Sequence, residues 1–593
     1  MIRLPYRFSL GAVLLSLVSL GAAYGCGSDT GLDAPAIDPD AALTDSTTNG
    51  DGTTGPDGEP LGDAGDAGQD AAKDATADAA DAAKDADADA AKDADAADPD
   101  PPGPLSPTYV DYDYNHILST GQSNSVASGA RPSTTLPVNT VAITNTQPFT
   151  NVMFQTGVMT SANCNGAGCP VGNYVAPNAF VPLIEGDSFF GGAYVVETAS
   201  SAMANLISQL ATTTFEFGAP ARPTYPTKHD VLVSLHGRSG NRYVCMRKTS
   251  QTDPDRLPPN TVPGECVMSL RPAFKEGMLQ AQAGYDLAVG LGKTHAVRAV
   301  TTIHGESDHN GQLTDFPQRG SDGVAAKIKD YADALIEWQE DYEAGVKAIT
   351  NQAVPVPLFV MGITGWTGPA TYPGETEPPR YSPLAAQQHD AHVRAPGKVI
   401  LVGPGYFLDQ GTQGGASTQP ECLHVSIVGQ RQIGEYFAKV YAKVVFKGEV
   451  WEPVHPKTVT RVANVVTVEY FVPVPPLVLD TVLVTARAGE NFGFEYRVNG
   501  HTGTRIGITN VVLSGATTVT ITLASTPVGA NQRLIYAQNQ APYGAGCTGP
   551  GVQSNGALYA GGARGNLRDS DATVSRYGYP LYNWGVIYDV PVP

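Results

Sequence analysis

Basic residues are scarce in this chain. Its 593 residues include 37 Lys and Arg against 58 Asp and Glu, a net charge of −21. No basic stripe exists that would release counterions from a phosphate backbone, which excludes nucleic acid as a partner. The acidity is itself local. Residues 27–100 carry −18 and the first 26 carry +2, which leaves −5 for the rest. Long apolar runs are also lacking. Residues 8–23 form the one exception, about the length of a signal-peptide hydrophobic region and short for a spanning helix. Branched and aromatic residues are nearly absent from 27–105. That stretch cannot bury a core and reads as a self-repelling, disordered acidic Asp/Ala-rich linker. Cysteine is sparse, seven in all, with no C-x-x-C spacing and no paired His beside them, which argues against structural zinc. No internal repeat of the length used by solenoids is present.

Arg3 and Arg7 precede the apolar run, and Ala23-Tyr24-Gly25-Cys26 follows it. Small residues before a cysteine resemble a bacterial lipobox, with Ala23 standing where Leu is usual. The expectation is an exported lipoprotein of the cell envelope or outer surface, whose contact with the membrane is a lipid on Cys26 alone. An ordinary secretory signal is the alternative. The other six cysteines are an even number in an exported chain, which suggests disulfides. Proximity favours Cys164–Cys169 and Cys245–Cys266, leaving Cys422 with Cys547.

From residue 113 short β-branched runs alternate with amphipathic stretches. Candidate strands are 116–120, 230–235, 296–304, 356–361 and 398–402. Candidate helices are 199–210, 273–291, 323–350 and 426–446. Strands apolar on both faces with helices between them predict a parallel sheet covered on both sides. From about residue 450 alternating runs at 458–468, 477–485, 492–498, 504–512 and 517–523 predict a small β-sandwich. The expected division is a signal segment over 1–26, the linker over 27–105, an α/β domain over 106–448, the β-sandwich over 449–540, and a tail over 541–593 packing on the catalytic domain. Tyr579, Tyr582 and Trp584 in that tail suit sugar faces or simple packing.

Ligands of parallel sheets sit at the carboxyl ends of the strands. Three polar stretches follow candidate strands there. Gly121-Gln122-Ser123-Asn124 can project a serine hydroxyl and its own N–H from a turn. His236-Gly237-Arg238-Ser239-Gly240-Asn241 offers backbone donors on a Gly-rich turn, and Arg238 either orients a substrate or pairs with an acid. His304-Gly305-Glu306-Ser307-Asp308-His309 gathers carboxylates and imidazoles, but not at a recognised metal-ligand spacing. Downstream, Glu421 stands three residues before His424, where a carboxylate can reach back to fix the imidazole tautomer and leave the other nitrogen as a base.

The order of these blocks resembles the SGNH (GDSL-like) hydrolases, in particular the sialate O-acetylesterase and acetylxylan esterase branch. The marks of that branch are a GQSN nucleophile block, a Q-G-E-S block and a D-x-x-H block, and the resemblance covers residues 113–447. It implies a three-layer α/β/α sandwich, flavodoxin-like, with a parallel sheet. It implies a serine carboxylic ester hydrolase that removes acetyl groups from carbohydrate and needs no metal or organic cofactor. Ser123 is the expected nucleophile and, through its N–H, an oxyanion donor; His424 is the expected base. Glu421, where the family has Asp, is the preferred triad acid, with Glu306 the alternative. Further oxyanion donors are expected among Gly240, Gly237, His304, which stands where the family has Gln, and Asn124. Gln122 and Arg238 are expected on the substrate side. The rival reading is a carbohydrate-binding or adhesion lipoprotein with a decayed esterase core, or an esterase of non-sugar esters.

The linker yields a first prediction. Residues 27–105, as flexible coil, span roughly 50 Å before charge repulsion extends them. A chain starting at Ser106 should keep full turnover on a small ester yet leave the membrane fraction of cells, and Cys26→Ser should leave it too. Loss of turnover in a folded truncation would place the acidic segment in the site.

Overall fold

The computed structural model describes residues 109–130, 148–159, 176–186, 188–189, 194–211, 229–248, 273–311, 316–364, 383–412, 420–486, 491–538, 564–573 and 575–593. Of residues 188–189, 194–195, 309–311, 410–412 and 420–423 it gives the backbone alone. The leader, Cys26, the linker and the expected pairs Cys164–Cys169 and Cys422–Cys547 lie outside the described residues. Cys245 is disulfide-bonded, and its partner lies outside them too.

Five apolar runs form the parallel core of a seven-stranded sheet. In chain order its strands are β1 (Tyr114–Gly121), β2 (Val152–Phe154), β3 (Phe180–Pro182), β4 (Val231–Leu235), β5 (His295–Ile303), β6 (Leu358–Met361) and β7 (Val399–Gly403). The spatial order is β3-β2-β4-β1-β5-β6-β7. All pairs are parallel except β2 with β3. Central strands are buried along their whole length, so no polar face appears in their sequence.

Alternate strand residues feed two cores. On one face Ile117, Val233, Ala299 and Phe359 meet Met203, Leu206 and Ile207 of α1 (Ala199–Ala211), and Ile433 and Phe437 of a helix near residue 430. On the other, Leu118, Val300, Val360 and Leu401 meet α2 (Ala273–Gly290), α4 (Tyr331–Thr350) and α5 (Leu384–Arg394), with Trp338 at the centre. Between them in sequence lies α3 (Glu306–Gly311), and the helix near residue 430 is α6 (Ile427–Tyr441).

The expected helix at 323–350 starts at residue 331. Asp330 is its N-cap and accepts from Asp333 N at 2.8 Å, so the preceding residues turn instead. The expected helix at 426–446 is capped by Ser426 and leaves α geometry for a π turn over Ala442–Phe446.

Two further strands, β8 (Gln410–Thr412) and β9 (Pro420–Val425), form an antiparallel hairpin. The β domain begins with β10 (His455–Val462) and β11 (Val465–Phe471), a hairpin where one run over 458–468 was expected. Ala463 at its turn has φ 52°, a left-handed conformation that alternation of apolar residues does not reveal. Next come β12 (Phe494–Val498), β13 (Thr504–Ile506), β14 (Ile508–Leu513), β15 (Thr518–Leu523), β16 (Arg533–Tyr536) and β17 (Tyr588–Pro591). They complete two antiparallel four-stranded sheets, β10-β11-β15-β14 and β13-β12-β16-β17. Val468, Val519 and Ile521 of the first share a core with Phe494, Tyr496 and Leu534 of the second.

The expected tail thus supplies β17 to the β domain. It also lies against α6. Lys439 Nζ pairs with Asp571 at 2.6 Å, and Glu435 accepts from Arg576 N at 2.8 Å. Trp584 is buried and stacks on Phe407, and Arg568 covers the Tyr582 ring. Trp584 thus packs the tail onto the α/β domain, the packing alternative, while Tyr582 is covered from within the tail.

Gly434 allows α6 to cross α1. A Cβ there would press on the Ala199 carbonyl and lie 2.8 Å from Met203 N, both backbone atoms. Helix propensity alone says Gly→Ala gains roughly 0.5–1 kcal/mol. Overpacking against backbone costs about 1–3 kcal/mol. Gly434→Ala should therefore lower unfolding free energy in urea. A rise would show that the helices part freely.

Candidate functional site

The carboxyl ends of β1, β4 and β5 each carry one of the polar blocks, and the three are knotted together. Gly121 ends β1 with φ 122°, and a Cβ there would strike the Ile303 carbonyl, so glycine is required. The turn after it is set by Gln122, whose carbonyl accepts from Ser125 N at 2.9 Å and Val126 N at 3.2 Å. Ser123 sits in this turn, 6% exposed, and its carbonyl accepts from Ser128 N at 2.9 Å. Its hydroxyl is thus carried on a strand-to-turn junction fixed by backbone bonds.

Asn124 joins three segments. Its Nδ2 donates to Glu306 Oε1 at 2.9 Å. Its Oδ1 accepts from Val425 N at 3.1 Å, and its carbonyl accepts from Gln430 Nε2 at 2.7 Å. This brings Glu306 and the His424 segment to the serine turn. Gly129 packs directly on His424, since a Cβ on it would collide with that of the histidine. His424 is half-buried near the end of β9, two residues before the N-cap of α6.

Glu306 is buried. Loss of hydration raises its carboxyl above the ordinary carboxylate range, opposed by hydrogen bonds from its own backbone and Asn124 and by the charge of His424. Glu306 thus feels the charge of His424. Residues 420–425 are extended, and three residues of strand span about 10 Å. The Glu421 side chain itself lies outside the described residues.

Other expected site residues are placed elsewhere. His304 is fully buried, with Nε2 donating to the Asn241 carbonyl at 3.1 Å and Nδ1 accepting from Tyr331 OH at 2.6 Å. Burial pushes its imidazole down to about 4. Both ring nitrogens are spent on holding the second block to the third, so His304 is not an oxyanion donor. Arg238 is buried in an ion pair with Glu276 and donates to the Gly237 carbonyl at 2.9 Å, the pairing alternative rather than a substrate contact. Gln122 is 1% exposed, and its Oε1 accepts from Ser307 N at 3.0 Å, which makes it a brace between blocks. Asn124 also acts as a brace, through the contacts above. Gly237 lies against the Ser125 hydroxyl and the Gly121 carbonyl, and Arg238 N donates to that carbonyl at 2.8 Å. Gly240 has φ 72° and open space where a side chain would be.

Two contributions escaped the sequence. Asp308 accepts from Tyr243 N with both oxygens, at 3.1 and 3.0 Å, and so anchors the turn Tyr243–Met246. Gln430 reaches from α6 to Asn124. The only signal for either was proximity to a block already singled out. Several histidines are core groups: His116 bonds Ser234 and His295, His236 bonds Gln280 and Tyr342, and His229 bonds Tyr109 and Tyr441. Burial drives the imidazoles of His116, His229 and His236 below the usual range. His424 is set beside the serine turn by its contact with Gly129 and by the neighbouring Val425 N–H on Asn124.

A small cavity opens at this end of the sheet, lined by Asn124, Glu306, Ile363, Thr364, Leu408 and Val425 among others. A wider, polar depression lies at the opposite, amino end, between Asp111, Asp113, Asp230 and Lys293. Its Lys293 and Asp113 already pair at 2.9 Å. The cavity at the carboxyl end is where chemistry on a parallel sheet is placed.

No family model matches the chain, and no curated protein matches it in sequence. Among solved structures, a carbohydrate acetylesterase from Xanthomonas citri is similar at a TM-score of 0.41 and 12% identity, over 80% of this chain and 80% of that one. Domains 1–6 of the surface layer protein SbsC are similar at a TM-score of 0.14 and 11% identity, over 28% of this chain and 16% of that one.

Proposed function

We propose that the chain is a serine esterase of SGNH type, an α/β/α layered domain followed by a β-sandwich, which removes O-acetyl groups from carbohydrate. The observation that supports it most is the Asn124 amide, which binds Glu306 and the His424 segment to the Ser123 turn at the carboxyl ends of the strands. Ser123 is the nucleophile, His424 the general base and Glu306 the orienting acid. The N–H of Ser123 and a backbone N–H of the Gly237–Gly240 turn serve the oxyanion. A lipid on Cys26 and the acidic linker would hold the enzyme at the cell envelope.

In the reaction Ser123 Oγ attacks the acetyl carbonyl carbon while His424 takes its proton. The tetrahedral oxyanion is held by the N–H donors. It collapses as the C–O bond to the sugar breaks, and His424 returns the proton to the leaving alcohol. Water then repeats the sequence on the acyl-serine and releases acetate. Acetate release from acetylated xylan, sialosides, pectin and peptidoglycan tests the substrate class. Turnover of p-nitrophenyl acetate without release from any glycan would point to non-sugar esters.

Ser123→Ala and His424→Ala should each lower turnover of p-nitrophenyl acetate by at least about a thousandfold, with the double variant little worse, because the two act as one unit. Substantial activity in folded Ser123→Ala would remove it as nucleophile.

The pH profile tests the acid. A triad carboxyl must be ionised, and burial lets Glu306 hold its proton to higher pH than usual. Both His424 and the triad carboxyl must be free of their protons on the acid limb, so the shift of that limb between variants, rather than its position, tests the acid. Asn124→Ala removes a bond that favours the carboxylate, so the acid limb of kcat/KM should move to still higher pH. An unmoved limb in a folded variant would count against Glu306.

A further inference from the structure

A second cluster of reactive side chains lies far from the serine turn, where the α/β domain meets the β domain. His392 belongs to α5, Glu452 to the segment connecting the domains, and His455 is the first residue of β10. Both imidazoles are buried, and Glu452 is 31% exposed. One ligand atom from each lies within 4.8 Å of the others.

The hydrogen bonds define how the rings present themselves. His392 Nδ1 is 3.2 Å from the Val399 carbonyl, which can only accept, so the ring hydrogen sits at Nδ1. The Nε2 lone pair is then directed at Glu452 Oε2, 3.1 Å away. In neutral imidazole, acceptor faces acceptor there. The contact is attractive only with a second proton on the ring or with a cation between the two atoms. His455 Nε2 lies 2.8 Å from the same carboxylate oxygen, and its Nδ1 is 3.0 Å from His389 Nε2. Its ring stacks on Phe471 at 4.9 Å.

We infer that His392, Glu452 and His455 bind one divalent transition-metal ion, zinc by their chemistry, which ties α5 to the first strand of the β domain. Two imidazoles and a carboxylate are a zinc donor set, with water completing the tetrahedron. Zinc bonds of about 2.0–2.1 Å set tetrahedral donor atoms roughly 3.3 Å apart, so the two histidine–carboxylate distances of 3.1 and 2.8 Å need open only slightly, while the two imidazole nitrogens already lie within 4.8 Å. The outer partners are in place: the Val399 carbonyl fixes the hydrogen of His392 on Nδ1, and the His389 ring can accept from His455 Nδ1, which turns Nε2 of each toward the metal. The exposed side of Glu452 supplies the entry path. The helix end that would be held also packs on the β domain elsewhere, since the His389 ring meets that of Tyr588 at 6.2 Å.

The test is zinc binding by the full chain after dialysis against EDTA, in excess Ca²⁺ to occupy weak sites on the acidic linker. Wild type should retain one more zinc per chain than Glu452→Gln or His392→Asn, and Zn²⁺ should raise the thermal midpoint of wild type alone. Co²⁺ should give the intense visible absorption of a tetrahedral site in wild type and lose it in both variants. Circular dichroism establishes that the variants fold, and part-exposed Glu452 is the conservative choice. Equal zinc content in wild type and folded Glu452→Gln, or a midpoint that Zn²⁺ does not move in wild type, overturns the inference. Zinc binding and esterase turnover are separate readouts, so either proposal can fail without the other.

Discussion

The side-chain amide of Asn124 donates to Glu306 and accepts from the Val425 N–H, and on those two bonds the convergence of the site rests. The segments it joins are far apart in sequence and arrive on different elements: the turn after β1, the start of α3, and the end of β9. A buried amide has one donating and one accepting end, and here each meets a group of the opposite kind. An unsatisfied buried polar atom costs about 1–3 kcal/mol, so the arrangement has little freedom to slip. The braces around it follow the same logic. Gln122 takes Ser307 N, Asp308 takes Tyr243 N, and His304 takes the Asn241 carbonyl. Every strand-end block is held to another by a side chain that a motif would assign to chemistry.

Much of the fold was legible because the parallel strands are buried on both faces and flanked by amphipathic helices. All five candidate strands lie within a residue or two of the observed ones. Misreadings occurred where local backbone geometry overrides pattern. The run at 458–468 alternates like one strand, but Ala463 turns it into a hairpin. The helix at 331–350 begins late because Asp330 caps it, a choice between equivalent-looking acidic residues that only tertiary context makes.

The site was legible as a set of blocks but not as a division of labour. Sequence spacing measures proximity along the chain, and that favoured Glu421 over Glu306. The fold adds a proximity that spacing does not show, since the sheet brings residue 306 beside 124, while the Glu421 side chain lies outside the described residues. The cluster at the domain seam had a partial signal, the E-x-x-H spacing of Glu452 and His455, which says nothing of the third member. His392 and His455 are 63 residues apart, as their numbering shows, and no short spacing links His392 to the other two.

The buried histidines have a consequence for how the molecule meets acid. His116, His229, His236, His295 and His304 are held below the ordinary imidazole range, chiefly by lost hydration, the last three to about 4. In the open chain each would titrate near pH 6.5. Below that value the unfolded form takes up protons that the folded form refuses, so their contribution to stability drains away as pH falls from about 6.5 toward 4. Glu185 and Glu435, pushed by burial up to about 7, act with opposite sign. They are protonated when folded and ionised when unfolded, so what they contribute is lost as pH rises from the ordinary glutamate range through about 7. The two sets oppose each other across mildly acidic conditions. Under stronger acid Glu185 and Glu435 no longer distinguish the two states, and the buried histidines are joined by carboxyls held down to about 2, such as Asp571, in driving the chain open as a proton sink.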